Sequence, residues 1–442
     1  MTNAPNLSQP PRWLPLHVLC GGLLAAVGML ALSKQPVETW LVLPSAATEM
    51  GMRCGFSLGV LILALLLALS LGLAVGLLTR RLGRGAEAFV ALLGRALACL
   101  PVVALAWGFV SLWIGHYGGP VETLMPTELP VAQNVWQITL ARWLWEFLAP
   151  ALLLAVPLTG EFIQCVISDA KATVDLDFAL RARGVPASER LWWHHLTQLL
   201  PLLRTRMQAL CLVAPVYLIV IEDVLRFMGW GGWMAQSIRA VDVKGIAFGF
   251  ATGGMVMALL CGGPHLLRAR LRPSANRLTA FAWQPWQLWG LGLMTITPLS
   301  SSPWLVLWFA VLFSGSSAWH EAWAGVKKQL PLDPARSFGV SETSIWLRHV
   351  ALLQCRMLVA WISAVSAQIL LWIAVACALQ PALWQELGAP LARWFRPLAI
   401  GASQDAARTL ADPSALLEAG GVIALGALCL IQLSRIIQPR PT

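Results

Sequence analysis

The sequence predicts an all-α polytopic membrane protein of about ten transmembrane helices, and three observations carry that prediction. Of its 442 residues, 58% are hydrophobic and only 12% are charged; a soluble domain carries about 25% charged residues. The apolar residues fall in runs near the length of about 20 that a membrane helix needs. The 23 tryptophans suit membrane interfaces, where an apolar ring and a polar N–H are both satisfied. A disordered chain is excluded, because that class is polar and charged. The nine cysteines and seven histidines form no C-x-x-C and no H-x-x-x-H pair. Most of the cysteines lie in apolar runs and read as small membrane-core hydrophobes.

The spans follow in order. Leu14–Ser33 has no charge over 20 residues, and Gly55–Thr79 has none over 25. The first of these exceeds a signal-peptide core and has no clear A-x-A site after it, so it is expected to stay as a span. Ala96–Gly115 follows, with Arg95 at its edge and free to snorkel. Trp143–Ser168 is apolar apart from Glu146 and Glu161. Next come Met207–Ile221 and the uncharged Gly245–Leu267. Leu278–His320 is uncharged for 43 residues, and the turn signal Ser300-Ser301-Ser302-Pro303 divides it into two. Met357–Leu379 and Leu416–Ile437 complete ten. Prolines 101, 150 and 157 are expected to kink their spans.

Lys and Arg placement sets the orientation. With the N-terminus in the cytoplasm, the inner segments hold 21 of the 31 basic residues and the outer ones nine. Both termini are then cytoplasmic. The net charge of +10 is mostly this inside bias and gives no reason to invoke nucleic acid.

An internal repeat lies within this frame. Asp177-Phe-Ala-Leu-Arg181-Ala182-Arg183-Gly184-Val185 is followed by His194, ten residues after the glycine. Asp333-Pro-Ala335-Arg336-Ser-Phe-Gly339-Val340 is followed by His349 at the same spacing, 155 residues further on. Pro150 and Pro303 precede the two copies, and Arg206-Met207 and Arg356-Met357 follow them. Two structural copies are expected, each presenting a short helix–turn–helix on the cytoplasmic face. Glycine would supply a turn with φ > 0. Arg181 and Arg336 would reach phosphates, lipid heads or acids of a partner. An amphipathic loop lying on lipid explains the arginines but not the fixed Gly-to-His spacing.

These residues resemble the coupling loop, the EAA loop, of binding-protein-dependent ABC transporter permeases of the dipeptide, oligopeptide and nickel group. Arg181-Ala182-Arg183-Gly184, His194 and Leu199-Leu200-Pro201 carry the likeness. It extends to Ile221-Glu222, Gly229-Trp230-Gly231, Ala235 and Asp242, and to Arg80-Arg81-Leu-Gly-Arg84 and Ala98-Cys-Leu-Pro101. It covers residues 54–275 well. It covers 285–437 only through the second loop and a degenerate outer segment, Gly401–Asp412. The second copy departs at Asp333-Pro334-Ala335 and lacks counterparts of the first two spans. The resemblance implies two fused permease domains, 1–275 with six spans and a degenerate 276–442 with four. It implies a type I ABC importer-like fold with a pseudo-two-fold repeat, in the cell inner membrane. It also implies two ATPase-coupling loops, one with Arg181, Ala182, Gly184, Val185 and His194, the other with Ala335, Arg336, Gly339, Val340 and His349. The partners implied are cytoplasmic ABC ATPase subunits and an extracytoplasmic solute-binding protein. No G-x-x-x-x-G-K-[ST] phosphate loop occurs in the chain. The chain is therefore expected to bind no cofactor itself and to leave ATP to the partner subunits.

Other polar residues have two readings each. An acid inside a span is costly and a functional candidate by default, so Glu161 reads as a cargo contact or as a residue satisfied by a neighbouring helix or water. Glu222 and Asp223 close the fifth span, where they are expected to cap and solvate the outer mouth; Glu222 is a second candidate for the translocation pathway. His194 and His195 are adjacent and point about 100° apart on a helix, a poor arrangement for a metal. No Ser/His/Asp or Cys/His set shares a depth, so catalysis is not expected. Two rivals to the importer reading stand: an ion-coupled secondary transporter, which also shows repeats and broken helices, and an intramembrane enzyme. The topology is testable by single-cysteine labelling. Arg270→Cys and Arg440→Cys should react with a membrane-impermeant maleimide only after permeabilisation; reaction of either from outside contradicts the ten-span arrangement.

Overall fold

The computed structural model describes residues 47–117 and 147–266, apart from positions 83, 173, 187–188, 191–193, 195, 228 and 241. It also describes 351–379, 393–398 and 413–437, with isolated positions at 19–27 and 341–344. Ten helices among the described residues organise the chain. They are α1 (Ala47–Leu82), α2 (Arg84–Ala98), α3 (Val102–Tyr117), α4 (Ala149–Ala172), α5 (Val174–Ala182), α6 (Leu196–Val224), α7 (Trp230–Arg239), α8 (Val243–Leu266), α9 (Ala351–Leu379) and α10 (Pro413–Ile437). No strand occurs among the described residues.

Five segments are long and apolar enough to cross a membrane: Glu49–Thr79, Ala149–Ile167, Val243–Leu260, Leu358–Leu379 and Leu417–Ser434. Their length and apolarity are those of a membrane protein. The predicted span Met207–Ile221 lies inside α6. Most of Leu14–Ser33, all of Leu278–His320, the Arg268–Arg277 stretch and the Gly401–Asp412 segment lie outside the described residues. So does the second loop, with Ala335, Arg336, Gly339, Val340 and His349.

The third predicted span requires correction. Ala96–Gly115 is not one helix: Gly85–Ala98 and Val102–Leu112 meet at 85°. Pro101 has no N–H to donate and biases Leu100 away from helical backbone. The Leu100 N–H donates to Leu97 O (3.2 Å), and the ladder restarts with Leu105 N–H to Pro101 O (3.1 Å). Pro150, by contrast, stands in the first turn of α4, where proline is tolerated. Of prolines 101, 150 and 157, only Pro157 lies in a helix interior.

Helix α4 is the hub. It packs against α1, α2 and α6. On α1, Leu61, Ala64, Leu65 and Ala68 are buried while Ile62 and Leu66 stay exposed. A helix apolar on both its inner and outer faces is one made for lipid. Gly160 lets α4 lie directly on α2: a Cβ there would come 2.6 Å from Ala98 N and closer still to Gly94 O. Small residues at such crossings let backbones approach inside a bilayer. The α9–α10 pair then docks on α3, with Gly420 of α10 against Ala104. Cys99, at the α2–α3 break, packs with Ala367 of α9 and Ala427 of α10. Cys99, Cys211 and Cys377 are buried as small hydrophobes, whereas Cys20, Cys355 and Cys429 face the outside of the bundle.

Arg95 does not snorkel. Its Nη1 donates to Oε1 of Gln432 on α10 at 2.8 Å, which ties the first half of the chain to the last helix. The packing of α4 is testable. Gly160→Val places bulk against backbone with no room to move, and overpacking of this kind costs about 1–3 kcal/mol. Its thermal midpoint in detergent should fall clearly below that of wild type. Gly51→Ala, which meets nothing within 4 Å, should leave the midpoint unchanged.

Candidate functional site

Three polar constellations interrupt the apolar bundle. One is at the α5 turn, one joins α4 to α6, and one closes the far end of α6.

The turn is built by the end of α5. Arg183 caps the helix, and Gly184 follows at φ 72°, a left-handed conformation that glycine adopts without the usual Cβ penalty. The Gly184 N–H donates to Arg181 O (2.9 Å) and the Val185 N–H to Leu180 O (3.1 Å). That pair of bonds is the Schellman closure of a helix C-terminus. Arg190 clamps the exit, its Nη1 donating to Val185 O at 2.7 Å. The turn expected of Gly184 in the sequence is therefore present, with its backbone groups satisfied. Leu180 is buried and anchors the helix, while Phe178, Arg181, Ala182, Arg183 and Gly184 are exposed. Phe178 is 75% exposed, on the same short helix as the exposed Arg181. His194 lies one turn further on, near the start of α6, where its carbonyl accepts from Thr197 Oγ1 (3.0 Å).

The second constellation is an ion pair. Arg206 Nη2 on α6 donates to Glu161 Oε2 on α4. Both side chains are partly exposed, at 41% and 31%. Of the two readings of Glu161, satisfaction by a neighbouring helix is the one this geometry provides. The pair still leaves part of the carboxylate accessible.

The third constellation corrects an expectation. Glu222 and Asp223 do not solvate an outer mouth: Glu222 is fully buried and the Asp223 side chain is 7% exposed. The reason is that α7 folds back over the end of α6. Ser57 Oγ of α1 donates to Glu222 Oε1 at 2.6 Å, and the Gly232 N–H donates to Oε2 at 3.0 Å. Ser57 Oγ in turn accepts from the Trp230 N–H at 2.9 Å. The residue before α7, Gly229, makes no side-chain cap, so the carboxylate of α6 caps α7 from outside. A negative charge at a helix N-terminus meets free N–H groups and the positive end of the helix dipole. A Cβ at Gly231 would come 2.9 Å from Glu222 Oε2 and 2.8 Å from Ile219 Cα. The glycines of Gly229-Trp230-Gly231-Gly232 are thus the space the carboxylate occupies.

Backbone and ring contacts complete this knot. The turn after α6 is a second Schellman closure, with Phe227 N–H to Glu222 O (2.8 Å) and Arg226 N–H to Asp223 O (3.1 Å). Arg226 takes the left-handed position at φ 56°, among the described residues the single non-glycine to do so. Asp223 pairs with Arg239 at the end of α7. Trp230 lays its ring on α8, Nε1 donating to Gly249 O at 3.1 Å. Ala235 is buried, and Asp242 accepts from Ile246 N–H (2.9 Å) as α8 begins.

The segment singled out in the sequence, Glu222 with Gly229, Trp230 and Gly231, is one site in space. Its partners Ser57 and Gly232, and the Arg206 partner of Glu161, were not visible in the sequence. A lone serine in an apolar run gives no signal of a contact 165 residues away. No family model matches the chain, and neither a curated protein nor a solved structure matches it significantly.

Removing the carboxylate tests the knot. Glu222→Ala leaves the Ser57 hydroxyl and the Gly232 N–H buried without that acceptor. Each buried group left so costs about 1–3 kcal/mol. The thermal midpoint should drop, and α7 should become accessible to protease. Ser57→Ala, which removes one donor from a carboxylate that keeps others, should cost less. Equal midpoints for wild type and Glu222→Ala would contradict the capping role.

Proposed function

We propose that the chain is the translocation subunit of an ATP-binding-cassette importer, moving a small polar solute such as a peptide or nickel. Separate cytoplasmic ATPase subunits power it, and an extracytoplasmic solute-binding protein delivers the cargo. The observation that carries the reading is the α5 turn. A short helix with a closed, rigid C-terminus presents Phe178, Arg181 and Arg183 outward, and only its buried side anchors it to the bundle. That shape suits insertion into a groove of a partner. Its position supports coupling as well. Helix α5 follows α4 after one residue, and α4 is pinned to α6 by Glu161 and Arg206. A push on α5 would therefore move α4 and α6 as one body, the type of rigid-body switch by which binding energy becomes a change of state.

In this reading the chain lies in the cell inner membrane with both termini in the cytoplasm, and its two halves, 1–275 and 276–442, are fused permease domains. A second pair of observations favours two halves. Helices α6 and α9 are both 29 residues long. They start 155 residues apart and end 155 residues apart, the same offset as the two glycine-centred loops. The ion-coupled alternative draws on Glu161 and Glu222, and both are engaged, Glu161 by Arg206 and Glu222 by Ser57 and Gly232.

Gly184→Trp tests the coupling. A side chain forced to φ > 0 costs roughly 1–2 kcal/mol, and the turn would shift to relieve it. Membrane abundance should stay near wild type, because nothing lies within 4 Å of the missing Cβ and insertion depends on the spans. Cargo uptake and co-purification of the ATPase subunits should both fall. Normal uptake with Gly184 and Gly339 both replaced by Trp would refute the assignment.

A further inference from the structure

A residue can touch its own equivalent in the other copy of a two-fold repeat only if it lies close to the axis. Tyr217 of α6 and Trp372 of α9 are such a pair. They are 155 residues apart, the offset already set by Gly184 and Gly339, by His194 and His349, and by both ends of α6 and α9. Their ring centroids are 6.5 Å apart with the planes inclined at 43°, within the range of an attractive aromatic contact. The environment matches on both sides. At the same offset Ile219 and Ala374, Val220 and Val375, Glu222 and Cys377, and Val224 and Leu379 are buried two by two. Both rings are themselves half-buried against the main apolar core.

We infer that the pseudo-dyad relating the two halves passes between Tyr217 and Trp372, and that this ring pair is the seal of the translocation path. The inference rests on the transporter reading above and adds the residues that close it. A path shared by two halves runs along their axis. Two large rings meeting on that axis block it as long as α6 and α9 stay together. When α4 and α6 move as one body, the rings part, because one belongs to each half. The rings differ in chemistry. Tyrosine offers a hydroxyl and tryptophan an N–H, so an opened pair would present one acceptor-donor and one donor to a polar solute.

The test is passive leak of the chain alone in liposomes loaded with potassium. Tyr217→Ala/Trp372→Ala should raise potassium efflux severalfold over wild type. The control is Trp233→Ala/Phe248→Ala, which removes a comparable ring pair (6.1 Å between centroids) within the first half; it should stay tight. If the double alanine variant does not purify, each single alanine variant carries the test and should leak more than the control. Tyr217→Phe/Trp372→Phe keeps two rings and should stay tight. Equal efflux from the axis variant and the control, or no rise in either, overturns the seal. Because efflux needs no ATPase, the two proposals separate. A leaking axis variant in a chain that captures no ATPase keeps the seal and removes the importer reading; a tight one in a chain that does capture ATPase does the reverse.

Discussion

Inside a bilayer a polar side chain has no water to turn to, so the bundle must satisfy it. That constraint organises this protein. Several of its polar groups are bonded across a helix boundary. Glu222 joins α6 to α1 through Ser57 and to α7 through Gly232. Glu161 and Arg206 join α4 to α6, and Arg95 with Gln432 joins α2 to α10. Apolar packing brings the helices together but tolerates sliding and rotation. A carboxylate held by a hydroxyl and a helix N-terminus does not, since a shift of one helix strands a buried charge. The polar contacts therefore fix the register that the apolar ones leave open.

The arrangement is asymmetric in an instructive way. At the 155-residue offset the partner of Glu222 is Cys377, buried and apolar in behaviour. Helix α6 thus carries a polar lock at its end, and among the described residues α9 has none at the matching place. Helix α9 is held instead by its long contact with α10 and by the small-residue crossing of α10 on α3, where Gly420 meets Ala104.

Much of this was legible in the sequence, because apolar length and glycine placement are strong local signals. The boundaries of α6, α9 and α10 enclose the spans read from uncharged runs, α8 holds all but the last residue of its own, and Gly184 occupies the left-handed turn expected of it. What the sequence hid was long-range. Glu222 and Asp223 end an apolar run and looked like a solvated mouth, yet α7 folds over them. The Gly229–Gly232 cluster hinted at a close approach without saying to what. The break at Pro101 was expected as a kink within one span, and its size, 85°, follows from losing two successive ladder positions around Leu100. Arg226 at φ 56° had no sequence signal at all, since glycine is the usual occupant of that position.

The central claim is that one chain supplies both permease halves to a pair of ATPases. Native mass spectrometry of the complex purified from its own membrane tests that most directly. The account predicts one copy of this chain with two ATPase domains. Two copies of the chain around one ATPase pair, or a chain that carries no ATPase under conditions that preserve uptake, would contradict it.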